Sequence, residues 1–232
     1  MYFFKTILII TVFVSLLTGC GKSPEEEIYN HLESAVSLEA VFEEQQQPLV
    51  ELEKKEQDIY EKIIKLGMSE FDEIKALSQD AIKVVSERET RIEKEKESID
   101  ASKEEFLLTE SKVDNLKDEK VRLNAEELMK VMNSRYESYD KLYTYYKDAI
   151  ALDRELYEMF QKEELTLDQL ENQVKKINEM YDNVVKENEK FNELTDTYNK
   201  KKKEFYIVAD LNVVFEENKD AAGSDGQAEA AK

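Results

Sequence analysis

Apolar residues recur every three, four or seven positions along almost the whole chain, which is the spacing of one face of an α-helix. The pattern predicts a first helix over residues 25–66, a central helical stretch over 70–162 and a third helix over 167–218. In the first helix, Glu56 occupies a position of the repeat that is otherwise apolar. The run 205–215 is rich in β-branched residues, and we favour helix over strand there.

Capping residues and helix breakers mark the predicted boundaries. Ser23-Pro24, followed by three glutamates, is typical of a helix start. Pro48 has no N–H group and should break or kink the first helix. We place Gly67 as the C-cap of that helix and Ser69 as the N-cap of the next. Residues 166–169 (TLDQ) are typical of a capping box that opens the third helix.

The scarcity of turn-forming residues predicts an all-α fold. Of 232 residues only 5 are Gly and 2 are Pro, whereas sheets and barrels need many tight turns. We expect an elongated antiparallel helical bundle or coiled coil of three long helices. A continuous central helix would be about 140 Å long, and the first and third helices together match its length. We therefore favour a thin rod over the alternative, a four-helix bundle in which the central stretch bends near Ser102 or Asn115.

The first twenty residues have the features of an export signal. Residues 7–17 (ILIITVFVSLL) are largely apolar and are too few for a membrane span, which takes about 20 residues. They lead into Leu17-Thr18-Gly19-Cys20, which is similar to the lipobox of bacterial lipoproteins: an aliphatic residue, two small residues and a cysteine. We predict a removed signal peptide over 1–19, recognised through Leu17, Thr18 and Gly19, and lipidation of Cys20. The alternatives are an ordinary cleaved signal with an incidental cysteine, or a buried N-terminal helix.

The predicted cleavage site and the predicted ends of the helices divide the mature chain into three parts. Residues 20–24 form a lipidated N-terminus and short linker, and residues 25–218 form a single elongated helical domain. Residues 219–232 contain no large apolar side chain, so we expect a disordered tail.

The charge of the chain argues against several partners. It has 33 Lys and Arg against 53 Asp and Glu, a formal net charge of −20, and removal of residues 1–19 would take away Lys5 and no acid. Nucleic acid binding requires dense Lys and Arg, so we expect no nucleic acid partner. An acidic body should not lie flat on anionic lipid. The lysine run 200–203 is the one basic cluster, and we favour a solvated stretch of helix over a phosphate or teichoic-acid contact.

Few side chains suggest catalytic chemistry. The single Cys is the predicted lipidation site, and the single His, His31, shares a helical face with Glu27. Nucleophilic mechanisms need a nucleophile, a base and an orienting group, and the acids lie along continuous helices rather than across a cleft. We therefore predict a protein that is not an enzyme, with no catalytic residues, no metal site and no cofactor.

A cluster of tyrosines is the most suggestive feature of the mature chain. Five of the 12 tyrosines lie between residues 136 and 146. Four of them, Tyr136, Tyr139, Tyr143 and Tyr146, share one helical stripe. They could form an aromatic platform for glycan rings or a protein partner, or a packing seam whose hydroxyl groups reach water. The regular spacing favours the seam.

Three segments of the predicted helices resemble a known family. They are EEEIYNHLESAVSLE from Glu25, EEQQQPLVELEKKEQDIYEKIIKLGMSEFDEIKAL from Glu43 and ERETRIEKEKESIDASKEEF from Glu87. Together with the lipobox, they make the chain similar to the YkyA-type cell-wall-binding lipoproteins of Gram-positive bacteria. The resemblance covers about the first half of the mature chain, and the remainder matches mainly in composition and helicity. It implies an envelope lipoprotein on the outer face of the cytoplasmic membrane, and it carries over no catalytic residues.

Two functions agree with these features. The first is a lipid-anchored extracytoplasmic helical lipoprotein with a non-enzymatic envelope role, which binds peptidoglycan in the cell wall or an envelope protein. The alternative is a helical adaptor or regulator of a membrane protein complex.

Overall fold

The computed structural model describes residues 22–213, which form helices joined by short connections. The helices are α1 (Pro24–Leu38), α2 (Ala40–Ile63), α3 (Phe71–Leu107), α4 (Glu110–Val113), α5 (Glu119–Met159) and α6 (Leu167–Val208). A 3₁₀ turn, Met68–Glu70, precedes α3. These residues include no β-strand, and the all-α prediction is confirmed.

Four long helical segments form an antiparallel bundle. The first consists of α1 and α2 together, and the other three are α3, α5 and α6. Neighbouring segments in the chain pack against each other, and the first also meets the last, since the ring centroids of Tyr29 and Tyr206 are 5.0 Å apart. Because α5 has 41 residues and α6 has 42, the bundle is about 60 Å long. This is the elongated helical bundle that the sequence predicts.

The apolar faces of the four segments meet in one continuous core. In its middle, the rings of Phe42, Tyr139 and Phe191 contact one another, with centroids 5.5 to 5.9 Å apart. These rings come from α2, α5 and α6, so three of the four segments share this layer. Removal of such large apolar surfaces from water is the main force that holds the helices together.

The preferred rod is wrong, because the central stretch folds back on itself. Its first helix ends at Leu107 and its second begins at Glu119, so the bend lies beside Asn115. Ser102, the other predicted place for a bend, is buried within α3. Asp118 starts α5 by accepting hydrogen bonds from two backbone N–H groups of the first turn. The bend lets α3 and α5 pack against each other, whereas in the rod each half would meet a single partner helix.

The predicted break at Pro48 is also wrong. Pro48 lies inside α2, where burial of Leu49 and Leu52 holds the helix together against a proline cost of about 3 kcal/mol. The interruption lies at Glu39, between α1 and α2.

Ser98 of α3 explains the interruption at Glu39. Its Oγ donates a hydrogen bond to the carbonyl oxygen of Leu38 (2.6 Å) and accepts one from the N–H of Phe42 (3.2 Å). In a continuous helix these two backbone groups would bond to each other. A side chain inserted into this hydrogen-bond ladder separates the two helices.

Two predicted helix starts are confirmed. Ser23 Oγ accepts a hydrogen bond from the N–H of Glu26 (3.2 Å), and the Glu26 carboxylate accepts one from the N–H of Ser23 (3.0 Å). The same reciprocal pair joins Thr166 and Gln169 at the start of α6. Each pair is a capping box that satisfies two otherwise unpaired N–H groups.

The caps predicted between the first two helices are wrong. Helix α2 ends at Ile63 with Ile64 as its cap, and Gly67 has an extended backbone with φ of −98°. Helix α3 begins at Phe71, after the 3₁₀ turn, rather than directly behind Ser69. The Glu70 carboxylate accepts a hydrogen bond from the Gly67 N–H (3.1 Å), which closes the turn.

The third predicted helix ends ten residues early, at Val208. Asp210 takes the left-handed conformation with φ of 51°. Its N–H donates to the carbonyl of Ile207 (3.2 Å), and the N–H of Leu211 donates to that of Tyr206 (3.1 Å). This is a Schellman motif, which terminates a helix. Residues 209–213 are therefore not helical, and 214–218 of the predicted helix lie outside the described residues.

Candidate functional site

The described chain begins and ends at the same end of the bundle. Helix α1 starts at Pro24 and α6 ends at Val208. Glu33 of α1 accepts hydrogen bonds from Lys202 Nζ (3.0 Å) and the Tyr206 hydroxyl (2.6 Å) of α6, which fixes this arrangement. We call this end proximal, because it is the end nearest to Cys20 in the sequence. The distal end holds the α2–α3 and α5–α6 connections.

The predicted lipidation site lies outside the described residues, as do Leu17, Thr18 and Gly19. The structure begins at Lys22, and Ser23 already caps α1. Three residue steps from Cys20 to Ser23 span at most about 10 Å. A lipid on Cys20 would therefore bring the proximal end of the bundle close to the membrane.

The tyrosine stripe lies in the core of the bundle. Tyr136, Tyr139 and Tyr146 are buried, and Tyr143 is partly buried with its ring 5.8 Å from Lys96 Nζ. The neighbouring helices cover the three buried rings, so they present no open face to a ligand. The seam interpretation supposed that their hydroxyl groups reach water. Instead, these hydroxyl groups bond to buried or half-buried polar side chains.

Each buried tyrosine of the stripe belongs to a different polar cluster. The Tyr136 hydroxyl is 2.8 Å from Ser102 Oγ, the Tyr139 hydroxyl donates to Glu95 (3.3 Å), and the Tyr146 hydroxyl donates to Glu53 (2.7 Å). The stripe thus connects three polar layers that cross the core.

The first cluster surrounds Arg88 of α3, which is 1% exposed. Its Nη1 donates to Glu56 (2.5 Å) and Asp153 (3.0 Å), its Nη2 to the Tyr181 hydroxyl (2.7 Å) and its Nε to the Tyr146 hydroxyl (3.2 Å). All four long segments of the bundle contribute a side chain. Burial raises the pKa of the Glu56 carboxyl to about 7, although the charge of Arg88 opposes the change.

The second cluster surrounds Arg135 of α5, which is also buried. Its two terminal nitrogens donate to the two carboxylate oxygens of Glu39, both at 2.7 Å, and its Nε donates to Thr195 Oγ1 (2.8 Å). The guanidinium lies 4.5 Å from the centroid of the Phe191 ring. Glu39 is the residue at the interruption between α1 and α2, so this pair fixes the position of that interruption against α5 and α6.

Glu95 of α3 forms a third cluster, in which the carboxyl bonds to uncharged side chains. Its carboxyl accepts hydrogen bonds from Gln46 Nε2 (2.6 Å) and the Tyr139 hydroxyl (3.3 Å). Burial raises the pKa of this carboxyl to about 8. Because each of these clusters joins side chains from several helices, they define which residues of neighbouring helices face each other.

Other candidates from the sequence also serve to join helices. His31 Nδ1 of α1 is 2.7 Å from Glu105 Oε1 of α3. In the lysine run 200–203, Lys202 is buried against Glu33, and Lys201 Nζ donates to Glu127 of α5 (2.8 Å). The run is therefore partly engaged in contacts between helices.

A shallow groove opens between α2 and α6 at the distal end. Its lining includes three apolar side chains, Tyr60, Leu170 and Val174, together with three acids, one lysine and one asparagine. The acids are Glu171, Glu179 and Asp182. The groove has a volume of about 470 Å³. Its composition suits an extended or helical protein segment better than a small polar ligand.

Within residues 22–213, no group of three or more His, Cys, Asp or Glu side chains is arranged to hold a metal ion. In the same range, no helix is both long and apolar enough to cross a membrane.

The fold and the distribution of charges define an acidic antiparallel four-helix bundle with polar layers in its core. Residues 23–207 match the family model YkyA, described as "Putative cell-wall binding lipoprotein". The chain is also 35% identical over 199 residues to the "Uncharacterized lipoprotein YkyA" of Bacillus subtilis (strain 168), covering 85% of this chain and 89% of that protein. The chain therefore belongs to the YkyA family of lipoproteins, and the resemblance noted from the sequence is confirmed.

A crystal structure at 1.6 Å of a conserved protein of unknown function from Staphylococcus aureus has a similar fold. The TM-score is 0.69, with 19% sequence identity, over 78% of this chain and 93% of that one. At this identity the likeness shows the fold alone.

Most of the polar core was not predicted from the sequence. Glu56 was recognised at an apolar position, but its partner Arg88 was not singled out, and neither were Glu95 and Arg135. A signal for all three was present in the spacing. Each lies three residues after one buried apolar residue and four before another, which is a core position of the helical repeat.

Proposed function

We propose that the chain is exported, acylated at Cys20 after removal of residues 1–19, and held on the outer face of the cytoplasmic membrane. The observation that carries the proposal is the position of the only cysteine. It ends the lipobox-like segment Leu17–Cys20 and lies three residues before the helix cap Ser23. Membership of a lipoprotein family supports it. Two or more acyl chains give a stable anchor, whereas one is marginal.

Replacement of Cys20 tests the anchor. We expect wild-type protein in the membrane fraction of cells and the Cys20→Ala variant outside that fraction. The control is Thr18→Ser, which keeps the small residue of the lipobox and should leave the protein in the membrane. If Cys20→Ala remains in the membrane fraction in unchanged amount, the proposed anchor is wrong.

We further propose that the anchored bundle has a binding role at the cell wall and no catalytic one. The bundle is about 60 Å long, so its distal end would stand well away from the lipid. Many of the buried acids are bound to arginine and tyrosine side chains within the core, which leaves them unsuited to act on a substrate.

Retention on isolated cell wall tests this role. The soluble mature chain, carrying Cys20→Ser, should sediment with purified peptidoglycan at physiological salt and remain there when the salt concentration is raised. Loss of binding at higher salt would indicate a non-specific charge effect. A chain that stays in solution at physiological salt would contradict the wall-binding role.

The distal groove favours a second candidate, an adaptor for another envelope protein. Its apolar and acidic lining residues complement a segment that carries apolar and cationic side chains. Crosslinking in intact cells should then yield one membrane or envelope protein. Leu170→Ser with Val174→Ser should abolish that product. The matched control is Val185→Ser, since Val185 is an exposed residue of α6 that does not line the groove.

A further inference from the structure

Exposed large apolar side chains are concentrated at the proximal end of the bundle. Nine such side chains occur in residues 22–213, and four of them lie at this end: Leu107, Leu108, Leu123 and Ile207. Two others, Ile64 and Leu167, lie at the distal end, and the remaining three lie along the sides. Single exposed apolar residues are normal on protein surfaces, but four at one end form a group that needs a physical explanation.

The four residues come from three elements that end or begin together. Leu107 ends α3, Leu108 follows it, Leu123 is in the second turn of α5, and Ile207 is in the last turn of α6. The α3–α5 connection that contains Leu108 is tied to the start of α1, because Lys112 Nζ is 2.6 Å from the Glu27 carboxylate. The same connection therefore lies beside the first turn of α1, for which Ser23 is the N-cap.

We propose that this proximal apolar tip (Leu107, Leu108, Leu123 and Ile207) rests in the interface of the lipid bilayer, so that the bundle stands upright on the membrane. The inference rests on the acylation of Cys20 proposed above. Because Cys20 is at most about 10 Å of chain from Ser23, acyl chains in the bilayer would hold the tip at the level of the lipid headgroups.

Charge explains why the contact is at the tip and not along the side. The chain carries 53 acidic against 33 basic residues, so a side-on arrangement would bring many acids against the lipid surface. The α3–α5 connection and the first turn of α5, which lie next to the tip, carry charges of both signs, including Lys117, Lys120, Asp118 and Glu119. The attraction of the tip to lipid is therefore apolar, and we expect little dependence on the anionic lipid content of the membrane.

A fluorescent label on a single introduced cysteine tests the proposal in the mature acylated protein. The thioether on Cys20 blocks its sulfur, so a cysteine introduced elsewhere would be the only reactive thiol. The test position is Leu108→Cys and the control is Ile64→Cys at the distal end. Leu108 is 51% exposed and Ile64 is 53% exposed, so the two labels differ in place rather than in local burial.

Both proteins are reconstituted into phosphatidylcholine vesicles that contain a lipid-bound quencher. We expect the label at position 108 to lose several-fold more fluorescence than the label at position 64, and to shift its emission to the blue. Addition of anionic lipid should leave this difference unchanged. Equal quenching of the two labels, or strong quenching of neither, would overturn the proposal.

The same preparation shows whether the proposed contact of the tip with lipid is wrong or the proposed acylation of Cys20 is wrong. If protein with an acylated Cys20 binds the vesicles while the label at 108 stays in water, the upright, tip-down arrangement is wrong and the anchor stands. If wild-type protein from the membrane fraction reacts with the thiol label, Cys20 is not acylated, and the anchor and the inference both fail.

Discussion

Arg135 and Glu39 show how a charge is tolerated in the core. Both side chains are buried, and two hydrogen bonds of 2.7 Å join them. Loss of one partner leaves the other as an unpaired buried charge, which costs about 3–5 kcal/mol, whereas replacement of both by apolar residues is often close to neutral.

We therefore expect Arg135→Leu to lower the free energy of unfolding by about 3–5 kcal/mol, and the double variant with Glu39→Leu to recover much of that loss. The control is Arg122→Leu, which removes an exposed pair with Glu126 and should cost less than about 1 kcal/mol. Urea unfolding followed by far-ultraviolet circular dichroism measures all three. A double variant that is less stable than Arg135→Leu alone would contradict this account.

Glu95 gives a pH-dependent prediction. In the folded protein burial raises the pKa of its carboxyl from 4.5 to about 8, so the unfolded chain ionises this group at a lower pH than the folded protein does. Its contribution to stability must then fall as the pH rises from about 4.5 to about 8. Each pKa unit corresponds to about 1.4 kcal/mol.

Glu95→Gln imitates the protonated carboxyl and removes this dependence. We expect the variant to match wild type near pH 4.5 and to be more stable than wild type near pH 8, the two ends of the titration. The difference between the two unfolding free energies, measured across this range, isolates Glu95 from the other buried acids. A difference that does not change with pH would mean that the folded protein ionises Glu95 at its ordinary pKa.

At the scale of elements, the hydroxyl of Ser98 determines where the first segment bends. Ser98→Ala would leave the Leu38 carbonyl and the Phe42 N–H without this partner. We expect a loss of about 1–3 kcal/mol in the free energy of unfolding. Ser134→Ala is the matched control, because Ser134 bonds to the Lys130 carbonyl of its own helix near the surface, and it should change stability very little.

The helices and their periodic faces could be predicted from the sequence because local propensity, capping and spacing all act over a few residues. The capping boxes at Ser23 and Thr166 are of this kind. The interruption at Glu39 could not be predicted from the sequence, because it depends on Ser98, which lies 56 residues from Phe42 in the chain. The buried charges were missed for a similar reason. The repeat assigns Arg88 to the core, but only the fold brings Glu56 and Asp153 to it.

At the scale of the whole molecule, the bend between α3 and α5 distinguishes the bundle from the rod. In the bundle, the ring centroids of Tyr60 and Phe160 are 6.3 Å apart at the distal end. In the rod, the two ends of a continuous central helix would be separated by about 140 Å.

Spin labels at Lys65→Cys and Lys162→Cys, in a Cys20→Ala background, measure the distance between the α2–α3 and α5–α6 connections directly. We expect one short distance, within about two or three helix diameters of 10–12 Å. Both positions lie in the connections at the distal end. A population dominated by separations too long to detect would favour the rod.

Membrane attachment through Cys20 underlies the orientation of the bundle and its proposed role at the wall. The most direct test is the mass of the N-terminal peptide of the protein purified from the membrane fraction. We predict a peptide that begins at Cys20 and carries the mass of a diacylglyceryl group on its sulfur. A peptide that retains residues 1–19, or one with an unmodified Cys20, would contradict the account.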